Sequence, residues 1–317
     1  MSRSNIVQKP PIASYFALIA VCFIWGTVYL GFRIALESFP PMLLMGGRFF
    51  SAGLITLLAG AAVGAKMPTR REFAFSSLYG AITLGLGIGT LAFAAQWIPS
   101  GLVAMLTTTS PFWMVGIDAL FRGGERPNYP TIVGMSVGLA GTLILVVPGA
   151  IKQGFGGAVF FSFAILQLGC AGFALGSILE RRHATTTHPI INGAIQELAT
   201  GLVFLVPALF MHESVKWSLR GSLAVLYLIV FGGIVGYSSY LYSMKHLPVS
   251  LVSVYTYVNP LVAVALGALI YREKIDSLSI VAMFVVFAGV AIVKRFSGRP
   301  APTPEGARQL AAGSVRF

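Results

Sequence analysis

The chain is short of charge. Lys, Arg, Asp and Glu together make up 10% of its 317 residues, where a soluble domain carries about 25%. Too few polar side chains remain to coat a water-facing globule. Acidic residues are the scarcest, with 10 Asp and Glu against 22 Lys and Arg. Cysteine is nearly absent: Cys22 and Cys170 both lie in apolar runs, so neither a disulfide framework nor a cysteine-held zinc is expected. His183, His188, His212 and His246 fall at loops or at the ends of apolar stretches. No His-x-x-x-His and no paired carboxylates occur inside those stretches. An intramembrane enzyme therefore lacks its side chains, and no catalytic residue, metal site or cofactor is expected. Long polar loops are missing too, which disfavours a receptor or scaffold.

What is present is apolar. Hydrophobic residues make up 56% of the chain, with 36 glycines, a residue that membrane helices tolerate where neighbours pack closely. About 20 helical residues cross a bilayer core. Ten stretches reach that length, near 13–35, 41–64, 73–96, 101–121, 129–148, 157–180, 189–211, 221–243, 249–271 and 277–295. The first is too long for a cleavable signal peptide and reads as a span. Residues 297–317, rich in Pro, Ala and Gly, read as a disordered tail. The net charge of +12 forms no basic stripe interleaved with aromatics, which argues against nucleic acid. Instead 15 of the 22 basic residues fall on the side defined by the two termini and the even-numbered loops. By the positive-inside rule both termini are expected in the cytoplasm.

The chain also repeats itself. Residues 132–144 read IVGMSVGLAGTLI and residues 280–292 read IVAMFVVFAGVAI, matching at seven of thirteen positions at an offset of 148. Cys22 with Cys170, Pro41 with Pro189, Gly53 with Gly201 and Tyr79 with Tyr227 share that offset; Pro99 with Pro248 and Pro111 with Pro260 match at 149. Two repeats, 1–149 and 150–296, are expected. Each holds an odd number of spans, so the second must enter the membrane from the opposite side, the inverted arrangement of many secondary transporters. The fold expected is all-α and integral to the membrane: ten transmembrane helices as two inverted five-helix repeats around a central cavity.

Trp25-Gly26 followed by Pro40-Pro41, Ser110-Pro111 with Glu125 and Gly141, and Asn259-Pro260-Leu261 with Gly267, Glu273 and Gly289 resemble the drug/metabolite transporter superfamily. The match is to its ten-helix EamA-type members, above all bacterial exporters of amino acids, aromatic ones included. The resemblance covers residues 13 to about 295. The basic residue often found after Trp-Gly is here Arg33, close to the membrane edge. The resemblance implies a basket in which spans 1, 3, 4, 6, 8 and 9 surround a cavity and spans 5 and 10 stand outside.

The residues agree with that division. Helical spacing puts Tyr79 and Thr83 on one stripe of span 3, Trp25 on a stripe of span 1 with Cys22 and Tyr29, Tyr237 and Tyr240 together on span 8, and Tyr255 with Asn259 on span 9. Thr107 and Ser110 lie on span 4 and Gln167 on span 6, whereas span 10 is almost purely aliphatic from Ile280 to Val293. Such hydroxyls, amides and aromatic faces suit a zwitterionic, partly apolar solute; the same groups also serve as interhelical glue or interfacial belt. Pro111 and Pro260 are candidate hinges or fixed kinks. Arg48 and Glu197 are charges inside spans, and Arg48 aligns with Gln196 in the repeat, so an ion pair between Arg48 and Glu197 is one reading. Proton coupling through Glu197 is a weaker one. The expected activity is export of a small metabolite, a neutral or aromatic amino acid first, by alternating access. A phosphate-bearing solute such as a nucleotide sugar would ask for paired mid-span cations, and a cationic drug for a cavity carboxylate; both are poorly supplied. The partners expected are the solute and the lipid bilayer, with the chain a monomer.

Overall fold

The computed structural model describes residues 10–94, 97, 103, 106–153, 157–183, 186–211, 214–271 and 277–297. The expected tail beyond 297, the termini that would define orientation, Pro99, His212 and Glu273 lie outside them. Among the described residues the secondary structure is helical throughout. In chain order the helices are α1 (Ile12–Leu36), α2 (Pro41–Ala62), α3 (Arg70–Ala94), α4 (Ser110–Leu120), α5 (Tyr129–Gln153), α6 (Gly157–Arg182), α7 (Pro189–Met211), α8 (Leu219–His246), α9 (Val249–Val252), α10 (Tyr255–Tyr271) and α11 (Ser277–Phe296). Six of them, α1, α2, α3, α6, α7 and α8, carry apolar runs long enough to cross a membrane; Tyr129–Ile144 and Val249–Val262 are shorter apolar helices. Large apolar side chains such as Phe16, Leu58, Phe210 and Phe284 point outward, Phe210 with 77% of its surface exposed. A surface of that kind is at home in lipid, not water.

The helix starts are legible. Pro41 and Pro189 sit at the first positions of α2 and α7, where proline's missing N–H costs nothing. Thr69 and Glu72 form a capping box at α3: Thr69 Oγ1 accepts from the Glu72 N–H at 3.3 Å, and Glu72 Oε2 accepts from the Thr69 N–H at 2.9 Å. Ser218 caps α8 by accepting from the Gly221 N–H at 2.9 Å. Both caps also hold a neighbouring loop. Glu72 Oε1 accepts from the Thr186 N–H at 2.6 Å, and the Ser38 and Ser218 hydroxyls pair at 2.7 Å. Ser38 and Thr186 are 148 residues apart, so the same device recurs in both repeats.

Within lipid, apolar burial gives helices little reason to associate; close van der Waals packing at small residues does. Two seams show it. Along α2 and α7 the contacts run in opposite order: Gly46 meets Leu205, Gly53 meets Leu198 and Ala194, and Gly60 meets Ile191. A Cβ at Gly53 would stand 2.6 Å from the Leu198 nitrogen. Along α5 and α11, Gly134 meets Ile292 and Val293, Gly141 meets Val286, and Gly289 meets Gly138. In each seam a helix packs antiparallel on the helix at its own offset of 148.

Two departures from plain α-helix were not expected. Residues Ala81–Leu86 of α3 and Leu228–Val235 of α8 are π-helical, a wider coil that recurs at functional sites. They too occupy matching positions in the repeats. The expected fourth and ninth spans are interrupted, by turns at Thr108–Thr109 and Ser253–Val254. Pro111 therefore does not kink a continuous helix. It opens α4 from the first turn, because the chain has already broken before it. Pro260 does lie inside its helix, α10.

Candidate functional site

The two π segments and the two broken helices converge on one cavity, with about 990 Å³ of free space, its open mouth included. Its wall is mostly apolar and aromatic, formed by Val28, Phe32, Leu84, Ile88, Leu91, Leu166 and Phe173 beside Trp25, Tyr237 and Tyr255. Polar groups are few: Arg48, Thr107, Ser110, Cys170, Thr256 and Asn259. Several wall residues are repeat mates, Trp25 with Phe173 and Leu84 with Gly232 at 148, Thr107 with Thr256 and Ser110 with Asn259 at 149.

Trp25 anchors the aromatic wall. Its ring stacks on Tyr240 at 5.2 Å and meets Tyr255 edge-on at 5.0 Å, with Phe173 at 6.2 Å. Its Nε1–H donates to the Gly232 carbonyl at 3.2 Å, inside the π segment of α8. On the same cavity, Ser110 Oγ lies 2.7 Å from the Thr107 carbonyl and 3.2 Å from Cys170 Sγ. Asn259, oriented to satisfy its neighbours, donates from Nδ2 to the carbonyls of Cys22 at 3.1 Å and Tyr255 at 3.0 Å. Its Oδ1 is thereby left as the acceptor.

Of the residues singled out by helical spacing, Trp25, Thr107, Ser110, Tyr237, Tyr255 and Asn259 line this cavity, as does Pro260. Four others do not. Tyr240 is fully buried behind Trp25 and donates to Ser177 Oγ at 2.8 Å. Tyr79 lies 3.3 Å from His183 Nδ1 near the end of α6. Thr83 is buried with its hydroxyl aimed at Gly176. Gln167 fastens α6 to the interrupted span: its Oε1 accepts from Thr109 Oγ1 and Trp113 Nε1, both at 2.8 Å, and its Nε2 donates to the Leu106 carbonyl at 3.0 Å. The side chains of Tyr29 and Arg33 lie outside the described ones.

The expected direct pair of Arg48 and Glu197 is not formed. Both are buried, yet no ion pair joins them within 4.0 Å; the described residues place one ion pair elsewhere, Arg182 with Asp118 at 2.6 Å. Arg48 Nη1 and Glu197 Oε1 each lack a hydrogen-bond partner. Arg48 instead reaches the cavity, its guanidinium 4.7 Å from the Phe32 ring and 4.2 Å from the Phe49 ring. Glu197 turns to Gly233, where a Cβ would stand 2.7 Å from Oε1. Among the described residues no group of three His, Cys, Asp or Glu is placed to hold a metal ion.

A family model described as the EamA-like transporter family matches residues 12–147 and again 159–295. The chain belongs to the EamA-like transporter family. This EamA-family chain, a member of the drug/metabolite transporter superfamily, thus carries the domain twice. It is 33% identical over 280 residues to YedA, an uncharacterized inner membrane transporter of Escherichia coli, covering 87% of this chain and 89% of that one. It is 24% identical over 283 residues to a probable terminal-alkyne amino-acid exporter of Streptantibioticus cattleyicolor, covering 88% and 93%. A solved crystal structure shares the fold with a TM-score of 0.76 at 20% identity, covering 90% of this chain and 98% of that one. What helical spacing missed is the aliphatic part of the wall and the aim of Arg48. Leu84, Ile88 and Leu91 look like any lipid-facing leucine or isoleucine in sequence. Only their phase on a helix wound wide at 81–86 turns them inward.

Proposed function

We propose that this EamA-family protein is a secondary transporter that exports neutral or aromatic amino acids across a bacterial inner membrane by alternating access. The observation that carries the reading is the cavity wall: a large aromatic and aliphatic surface broken by a few hydroxyls, an amide and a guanidinium. Small-solute sites have this make-up, with apolar area for affinity and sparse polar groups for orientation. Trp25, Thr107, Ser110, Tyr237, Tyr255 and Asn259 would contact the solute. Tyr79, Thr83, Gln167 and Tyr240 would hold the helices that carry them. Among the described residues of the wall, a bulkier phosphate-bearing solute would meet a single guanidinium and a cationic drug no carboxylate.

The topology proposed is ten spans in two inverted five-helix repeats, with both termini cytoplasmic. Three features support it. α2 packs antiparallel on α7, and α5 on α11, each on its own repeat mate. The paired loop clamps at Ser38 and Thr186 recur across the repeat. The π segments match in position. A two-fold axis in the membrane plane generates such relations. It gives the bundle two near-equivalent packings, one open to each side, between which a bound solute can pass.

The test is counterflow in proteoliposomes. Labelled phenylalanine, leucine, a nucleotide sugar and a cationic dye are offered to vesicles loaded with the unlabelled compounds. Accelerated exchange of the amino acids is expected; exchange of the nucleotide sugar or dye alone overturns the substrate reading. Cysteine-accessibility labelling at Lys9 and Lys294 should place both on one face, and opposite faces would overturn the topology.

A further inference from the structure

Arg48 is the only charged side chain on the cavity wall among the described residues. It is 4% exposed, and its Nη1 has no hydrogen-bond partner. A guanidinium in that position is costly unless something compensates it. Glu197, the acid nearest in register, lies close enough for its charge to act on Arg48, yet it makes no ion pair within 4.0 Å and leaves the guanidinium without a hydrogen-bonded carboxylate. The rings of Phe32 and Phe49 lie 4.7 and 4.2 Å from the guanidinium carbon. Rings take up a guanidinium's faces and leave its in-plane N–H groups for an acceptor in that plane. An Arg fork matches a carboxylate in two parallel hydrogen bonds.

We infer that Arg48 is the carboxylate receptor of the cavity, and that the site takes solutes joining one carboxylate to an apolar, aromatic-sized body. This rests on the proposed function and names the group on the solute that is recognised. A single cation favours a monoanion over a phosphate dianion, since the rest of the wall offers only neutral donors. Trp25, Phe173 and Tyr255 give the apolar body its surface. Asn259 Oδ1, on the same wall, is the acceptor assigned to the ammonium of an amino acid. Repeat symmetry does not supply a second receptor. The mate of Arg48 is Gln196, whose Oε1 accepts from the Tyr237 hydroxyl. The carboxylate therefore binds on one side of the pseudo-axis and the solute takes one orientation.

The experiment is phenylalanine counterflow with unlabelled competitors in liposomes. Phenylalanine and 3-phenylpropionate keep the carboxylate; phenylalaninamide and phenethylamine do not. The first two are expected to compete about 10- to 100-fold better, as the loss of a hydrogen bond to a charged group implies. Arg48→Gln should erase that gap, and Arg48→Lys should narrow it. Equal competition by phenylalanine and its amide in the wild type, or an undiminished gap in Arg48→Gln, overturns the inference. If Arg48→Gln does not fold, Arg48→Lys decides, and a gap unchanged from wild type overturns it. If the wild type exchanges no amino acid, the proposed function fails while the receptor remains testable by thermal unfolding. 3-Phenylpropionate should then stabilise the wild type more than 3-phenylpropanol, and equal stabilisation overturns the inference.

Discussion

Trp25 and Phe173 occupy matching positions in the two repeats, and so do Arg48 and Gln196. The first pair stays alike. Both rings line the cavity and touch edge to face at 6.2 Å. The second pair diverges: Arg48 lines the cavity, while Gln196 is fully buried and tied to Tyr237. A duplicated frame keeps its packing symmetric because both copies must meet the same neighbours. Its polar chemistry is free to specialise, because one solute needs one receptor for each of its groups.

Substitutions can break that comparison in a graded way. The largest loss should come from the shared part. Gly201→Ala and Gly289→Ala drive a methyl into the backbones of Phe50 and Gly138, at about 1–3 kcal/mol each. Gly47→Ala meets nothing within 4 Å and should be neutral or slightly stabilising; thermal unfolding in detergent ranks the three. Next comes the specialised position. Gln196→Leu strands the buried Tyr237 hydroxyl, at about 1–3 kcal/mol, and the double variant with Tyr237→Phe should recover most of it. Equal losses in the single and double variants would remove the hydrogen bond from the account. Smaller still, Trp25→Phe makes the two halves more alike and deletes the bond to the Gly232 carbonyl. Exchange should slow by about three- to tenfold, from about 0.5–1.5 kcal/mol, while Phe173→Leu at the mate costs apolar contact but no hydrogen bond.

The smallest effect is a pH dependence outside the spans. Glu125, in the segment between α4 and α5, accepts from the Ser250 N–H at 3.1 Å and from the Ser250 hydroxyl. Burial pushes its carboxyl above the ordinary range, against the pull of those bonds. The folded state therefore binds the Glu125 proton more tightly than the unfolded chain does. Its contribution is full below the ordinary carboxyl range and is lost as pH rises through the raised value. Glu125→Gln should flatten that part of the stability profile; a profile unchanged by the substitution would place the dependence elsewhere.

Much of this frame is readable from residue order. Apolar runs of bilayer length, the 148-residue offset and the Pro41 and Pro189 starts all come from local chemistry. The aromatic and hydroxyl stripes on the spans at Trp25, Tyr255 and Asn259 coincide with one wall of the cavity. Tyr79, Thr83, Gln167 and Tyr240 share their helix faces with that wall by spacing, yet their side chains turn to neighbouring helices instead of lining the cavity. A helix face spans two neighbours, and periodicity does not tell which neighbour a side chain meets. The aim of Arg48 was hidden for a related reason: register suggested Glu197 as its partner, while three-dimensional packing turned that carboxylate to Gly233.

Sequence alone determined that this is a membrane protein with a duplicated helical unit, because hydropathy and repetition are properties of residue order. Tertiary structure alone decided where the helices break, where α3 and α8 widen into π turns, and which one of the buried charges lines the cavity. Those outcomes depend on how close two backbones can come at a glycine and on which polar atoms the neighbours leave unpaired, and neither is fixed until the helices pack.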